Sequence, residues 1–410
     1  MTNNRNYLLL LLLMLASALQ AQTINGTWHG QLDLQTLKLS IVFHFDPSNP
    51  TVDSPDQGAK GIKANMDFIS ADSVSISMPT LNASFSGKRT NGLIKGSFKQ
   101  NGMSLPLVLT PGDVKRNRPQ TPRPPFPYTT EEVRFTNPVD SAVLAGTLTF
   151  PTNYSSDHRC PVLLMVSGSG QQDRNEALME HQPFAVIADH LARHGIATLR
   201  YDDRSAGQST GDASNATSLQ FMEDAAAGIQ LLRSKGCFSD IGILGHSEGG
   251  MIAFMLAARK QADFIVTIGA PGLRGDSILL LQNELAVQQA GTNTKIDIRQ
   301  LRQTIKAQGN PWLDFFIDYD PSGDIAEADC PALVLNGAKD MQVYAEPNTS
   351  AIRRHMPKDA PYTFKVYPGL NHLMQHCTTG LPNEYADIEE TFAEEVLDDI
   401  TEWLAKLPLK

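Results

Sequence analysis

Positive charge is scarce in this chain. Its 34 Lys and Arg stand against 44 Asp and Glu, charged residues make up only 19% of it, and the net charge is −10. A protein that holds nucleic acid electrostatically needs a basic face, so that class is excluded, and the acidic excess reads as ordinary solvated surface. After residue 21 no apolar run is long enough to span a bilayer, which argues against stable membrane insertion. The four cysteines have no metal-ligand spacing, and none lies near residues 16–21, where a lipid anchor would be attached. No internal repeat is visible, and nothing in the pattern implies a metal or a cofactor.

What is present starts with a targeting segment. Arg5 precedes an apolar run over residues 7–15, and small residues follow at Ala16, Ser17, Ala18 and Ala21. That order of charged, apolar and small residues predicts a secretory signal peptide over 1–21, and hence an exported protein, periplasmic or secreted. Export permits disulfides. Four cysteines allow three pairings, of which Cys160–Cys237 is the candidate because both residues precede strands expected to be neighbours.

With 41% hydrophobic residues over 410 positions, the chain can build two domains. Residues 22–111 show alternating runs such as 37–45 and 73–78, separated by turn signals that include Asn91-Gly92 and Asn101-Gly102. They predict a small all-β barrel or sandwich, with Trp28 inside it or across its mouth. Residues 112–128 carry prolines at 119, 122, 124, 125 and 127 and read as a stiff, solvated linker. From 129 to 410 the pattern alternates strand and helix, the mark of an α/β domain with a mostly parallel sheet. Strands are expected at 133–136, 144–150, 162–166, 197–201, 241–244, 264–268, 332–335 and 363–367, with amphipathic helices at 183–193, 218–232 and 384–404. Residues 272–327 interrupt the alternation with further helices and predict a helical cap, whose Trp312, Phe315, Phe316 and Tyr319 are candidates for lining a pocket or for gluing the cap down.

The chemistry centres on Gly245-His246-Ser247-Glu248-Gly249-Gly250, which follows an apolar strand and opens an apolar helix. That context turns G-x-S-x-G into a nucleophile elbow with Ser247 at its tip. A serine needs a base, and the base needs an acid to hold its tautomer. Downstream, Asp340 ends an apolar strand and His372 follows the next one. His376 lacks a strand to position it, and His246 points away from the hydroxyl of its neighbour. Backbone N–H groups for an oxyanion are expected from Glu248 and from the glycine-rich Ser167-Gly168-Ser169-Gly170 loop, with Ser169 first and Gly170 next. Asp202-Asp203-Arg204 reads as a charged brace for the elbow.

Taken with Asn336-Gly337-Ala338-Lys339-Asp340, Tyr319-Asp320-Pro321 and Leu370-Asn371-His372-Leu373, these segments resemble the α/β-hydrolase superfamily. More narrowly, the chain looks like exported bacterial carboxylesterases with an added N-terminal β domain. The resemblance implies an eight-stranded, mostly parallel sheet. It also implies a cofactor-free serine esterase acting on small-molecule esters with short to medium acyl chains. Ser167 departs from it, standing where many relatives have a histidine. A serine exopeptidase on the same fold is the alternative, and a non-catalytic lipid- or glycan-binding protein stands behind both. The natural substrate and the oligomeric state are not written in these features.

Overall fold

The computed structural model describes residues 23–408 except 35–37, 58, 115, 153, 156, 158, 290, 293 and 294, so the expected signal segment lies outside the described residues. The chain divides into two compact units, Met1–Arg116 and Asn117–Lys410.

The first unit is all β: β1 (Gly26–Asp33), β2 (Lys38–Phe45), β3 (Thr51–Ser54), β4 (Ala59–Lys63), β5 (Asn65–Ile69), β6 (Ser73–Met78), β7 (Ala83–Thr90), β8 (Leu93–Gln100) and β9 (Met103–Pro111). They form one antiparallel sheet in the order β4-β3-β2-β1-β9-β8-β7-β6-β5. Its edge strands are joined through the single residue Ala64, which makes the unit a near-barrel. Strict alternation explains β6, where Val74, Ile76 and Met78 are buried between half-buried serines. The two Asn-Gly pairs turn as their chemistry dictates: Asn91 and Gly92 have φ of 53° and 81°, Asn101 and Gly102 of 48° and 83°. Both residues at positive φ match the right-handed twist of the flanking strands. Trp28 is buried among Phe43, Phe45 and Phe85, and its indole N–H donates to the carbonyl of Asn25 at 3.0 Å.

The second unit carries β10 (Thr130–Thr136), β11 (Val143–Thr149), β12 (Cys160–Val166), β13 (Ala197–Tyr201), β14 (Phe238–His246), β15 (Phe264–Ile268), β16 (Ala332–Gly337) and β17 (Tyr362–Tyr367). The order β10-β11-β13-β12-β14-β15-β16-β17 is mixed rather than purely parallel, because β11 pairs antiparallel with both β10 and β13. The helices are α1 (Pro183–Arg193), α2 (Ser218–Lys235), α3 (Glu248–Ala258), α4 (Gly275–Gln289), α5 (Ile298–Lys306), α6 (Pro311–Asp318), α7 (Ser322–Glu327), α8 (Ala345–His355) and α9 (Glu394–Lys406). One sheet face packs on Ala225, Ile229, Ile252 and Leu256 of α2 and α3, the other on Ile187, Leu191, Val396 and Ile400 of α1 and α9. Burial on both faces is why the central strands are apolar runs without alternation. Helices α4–α7 fill the interval between β15 and β16, where the cap was expected.

Three expectations need correction. Cys160 and Cys237 form no bridge, and all four cysteines are free thiols. The residue in register with Cys160 is Phe238, which leaves Cys237 one step outside the ladder. The last helix starts at Glu394 instead of 384, because the stretch before it is irregular and Gln120 accepts from the N–H groups of Thr391 and Phe392, which a helix running through them would need. Finally, the proline-rich stretch is docked at its head, through Arg118 and Gln120, while residues 123–127 are exposed. Arg118 is buried and donates to the carbonyls of Met179, Ala386 and Ile388.

Candidate active site

Ser247 sits in the bend between β14 and α3 at φ 53° and ψ −118°. The bend closes only because its flanks lack side chains. A Cβ on Gly245 would lie 2.1 Å from the carbonyl oxygen of Gly249, and one on Gly249 would lie 2.0 Å from that of Val166. Leading into α3, the turn places the Glu248 N–H in a first helical turn, where N–H groups lack intrahelical partners.

Asp340 follows β16 and His372 follows β17, both at the sheet end from which Ser247 emerges. Both are buried, and His372 Nδ1 lies 2.7 Å from Asp340 Oδ2. The other carboxylate oxygen of Asp340 accepts the backbone N–H groups of Gln342 and Val343, each at 2.8 Å, which fixes the acid. Ser247 and His372 line one cavity of about 270 Å³. Its walls include Pro271, Val343 and Leu373 below, with Ile278, Leu279, Trp312 and Phe316 of the cap above.

The remaining expected residues divide. Ser169 and Glu248 line the cavity, whereas Gly170 does not. The Gly168 N–H is already committed to Glu176 Oε1 at 2.6 Å. Trp312 and Phe316 stack on each other with centroids 5.2 Å apart and face the cavity. Phe315 and Tyr319 instead pair with each other outside it, and the Tyr319 hydroxyl is tied to Asp324. Helical geometry separates them, since neighbours in α6 cannot share a face. Arg204 is enclosed by Asp140 and Asp224 and does not reach the cavity. His376 is exposed beside Glu390 and Glu395. Asp203 braces the loop after β12, its Oδ2 accepting from Ser167 Oγ at 2.9 Å and the Gln172 N–H at 3.0 Å. Burial pushes its carboxyl well above the ordinary range, with the Glu176 and Glu248 charges adding to the effect.

Two buried groups at the site have partners that local spacing does not encode. The Glu248 carboxylate faces the cavity and accepts from Ser218 Oγ at 2.5 Å and from the Trp312 indole at 2.9 Å, with the Ser169 hydroxyl as a further donor. Burial raises its pKa, and those three bonds offset only part of the rise. The second group is a pair: His246 Nδ1 lies 2.9 Å from Glu176 Oε1, and His246 Nε2 lies 3.0 Å from the backbone carbonyl of His372. A histidine already inside the elbow motif was the available signal; Glu176, in an irregular loop, gave none.

A doubly flanked mixed sheet thus brings a strained serine at a strand-to-helix bend and a buried His–Asp pair to one cavity. The profile described as "Serine aminopeptidase, S33" matches residues 179–291, a stretch that contains Ser247 but neither Asp340 nor His372. Esterase EstD of Thermotoga maritima is 25% identical over 276 residues, covering 64% of this chain. The chain spans 66% of the length of that relative. Among solved structures, Est1E of Butyrivibrio proteoclasticus with ferulic acid bound aligns at a TM-score of 0.48 and 19% identity, covering 65% of this chain and 96% of that one. Esterase Pf2001 of Pyrococcus furiosus aligns at 0.48 and 16%, covering 72% and 99%.

Proposed function

We infer that the second unit is a serine hydrolase that cleaves carboxylic esters of short to medium acyl chain through an acyl-enzyme. The observation that carries this reading is the buried His372–Asp340 pair at 2.7 Å sharing one cavity with the strained elbow serine. Ser247 Oγ attacks the ester carbonyl while His372 Nε2 takes its proton and passes it to the leaving alcohol. Asp340 accepts from Nδ1–H, holding the ring in that tautomer and stabilising the imidazolium. The N–H groups of Glu248 and Ser169 hold the oxyanion. Water then enters, His372 repeats the transfer, and the acid leaves. A cavity of about 270 Å³ lies near the lower end of ligand-pocket sizes, roughly 300–1,000 Å³, which favours small acyl groups. The matched esterase points the same way.

The serine aminopeptidase profile and the Glu248 carboxylate in the cavity favour a second reading, an exopeptidase gripping a substrate ammonium. Glu248 already holds three donors of this chain, which weakens that reading. Wild type and Ser247→Ala, compared on p-nitrophenyl esters from acetate to decanoate and on aminoacyl p-nitroanilides, separate the two. Ester turnover that vanishes in the variant, with an optimum at short chains and silent anilides, is expected. Anilide turnover at comparable kcat/KM would replace the esterase reading, and silence on both panels from folded protein would remove it.

A further inference from the structure

Three parts of the site converge on a pair that the mechanism above does not use. Glu176 Oε1 accepts the Gly168 N–H at 2.6 Å and contacts His246 Nδ1 at 2.9 Å, while His246 Nε2 lies 3.0 Å from the carbonyl oxygen of His372. Gly168 touches the nucleophile, since a Cβ built on it would stand 3.2 Å from the Cβ of Ser247. The chain of contacts therefore runs from the oxyanion-side loop, through the residue next to the nucleophile, to the backbone of the base. Each link is short; the two made by the His246 ring are buried and the one from Gly168 is part-buried.

Counting protons shows what this arrangement demands. A carbonyl oxygen only accepts, so His246 Nε2 must carry a proton. Glu176 Oε1 is already accepting from an N–H. A neutral imidazole with Nε2 protonated would turn a bare Nδ1 toward a carboxylate, lone pair against lone pair. The geometry is satisfied when Nδ1 is protonated as well, making His246 an imidazolium paired with the Glu176 carboxylate.

We propose that the Glu176–His246 ion pair is a positioning device that locks the oxyanion-side loop and the base His372 in register on either side of Ser247. The proposal rests on the serine hydrolase reading of the site. Burial alone would lower the pKa of His246, but the charge and hydrogen bond of Glu176, the His372 carbonyl and the Asp340 charge outweigh it and leave it raised. The groups around the ring are accounted for. The His372 ring lies 4.7 Å away, centroid to centroid, and Asp340 stands behind it. On its other side the ring shares a small apolar cavity with Pro183, Phe184 and Ile187 of α1, Phe392 before α9, Ile268 and Leu373. Glu176 also holds a backbone φ of 52°, a strain that persists only where surrounding contacts over-determine it.

The sign of the pH dependence follows. A histidine raised in the folded state keeps its stabilising proton below its ordinary value of 6.5 and loses it as pH rises through the raised value. The device therefore fails on the alkaline side.

The test is Glu176→Gln, followed as kcat and KM for p-nitrophenyl acetate across pH. An amide either accepts from the Gly168 N–H or donates to a neutral His246, and cannot restore all three links. We expect kcat to fall by about 100-fold, KM to stay within about twofold, and the alkaline limb of kcat to disappear. A merely structural role would not remove that limb. A variant with kcat within threefold of wild type, or with the alkaline limb intact, would overturn the proposal. Nitrogen NMR of wild-type protein labelled in its histidine rings gives a readout independent of turnover and of the variant's folding. Both ring nitrogens of His246 are expected to be protonated at neutral pH, and one bare nitrogen would overturn the ion pair. Failure of the hydrolase reading looks different, with no ester turnover by wild type and no labelling of Ser247 by a fluorophosphonate.

Discussion

The backbone of Ser247 works against its side chain. At φ 53° and ψ −118° it occupies a region that only glycine visits freely, and such outliers cost about 1–3 kcal/mol. Ser247→Gly is therefore expected to stabilise the protein by about 1 kcal/mol after glycine's extra unfolded-state entropy is subtracted. The melting temperature should rise by about 2–4 °C while ester turnover is lost. An unchanged or lower melting temperature would show that the elbow is unstrained. Residues of this kind were readable in sequence because each stands in a local pattern: Ser247 between obligatory glycines, Asp340 and His372 each just past an apolar strand. Glu176 was not readable. Its partner lies 70 residues downstream, in another element, and no local spacing encodes that meeting.

At the level of elements, the cap is tied to the elbow through one polar contact at the cavity, the Trp312 indole on Glu248 Oε1 at 2.9 Å. Around it the attachment is apolar, with Ile278 and Phe316 packed on Met251. Hydrogen bonds to charged groups are worth about 1.5–3 kcal/mol, and Trp312→Phe keeps the ring while removing the donor. KM for p-nitrophenyl butyrate should rise about three- to tenfold with kcat within about twofold, read by steady-state kinetics. A fall in kcat at constant KM would instead mean that Trp312 serves the chemical step. All eight strands of the second unit fall on runs that the sequence marks: the inner strands as apolar runs buried on both faces, the edge strand β10 by the alternation that buries Val133 and Phe135. The direction of β11 is not marked, since a strand's residues do not say which way its neighbour runs. The start of α9 is hidden for a similar reason: Glu394 is preceded by helix-compatible residues, of which Thr391 and Phe392 give their N–H groups to Gln120 instead of to a helix. Long-range partners likewise dock Arg118 and Gln120 at the head of the proline-rich stretch, whose composition alone describes a spacer.

Across the whole molecule, sulfur is reduced and protected. Burial pushes the thiols of Cys160 and Cys330 up to about 11 and also raises that of Cys377. Thiolate is the reactive form, so native protein near pH 8 should react slowly with Ellman's reagent at these positions. Denatured, unreduced protein should yield all 4 thiols. A count of two would mean that a bridge forms despite the offset register of Cys160 and Cys237. The two units also differ in what they encode locally. The hairpins of the first announce themselves through Asn-Gly pairs, while the second assembles its site from loops after β12, β14, β16 and β17. Within that assembly, every group assigned to bond-making lies outside residues 272–327, and Ile278, Leu279, Gln282, Trp312 and Phe316 lie within them. Heritable change can thus act on diet and on digestion separately. On the proposed reading, exchanging one contiguous cassette of this gene would give the same cutting tool a different menu, without retuning Ser247, Asp340 or His372.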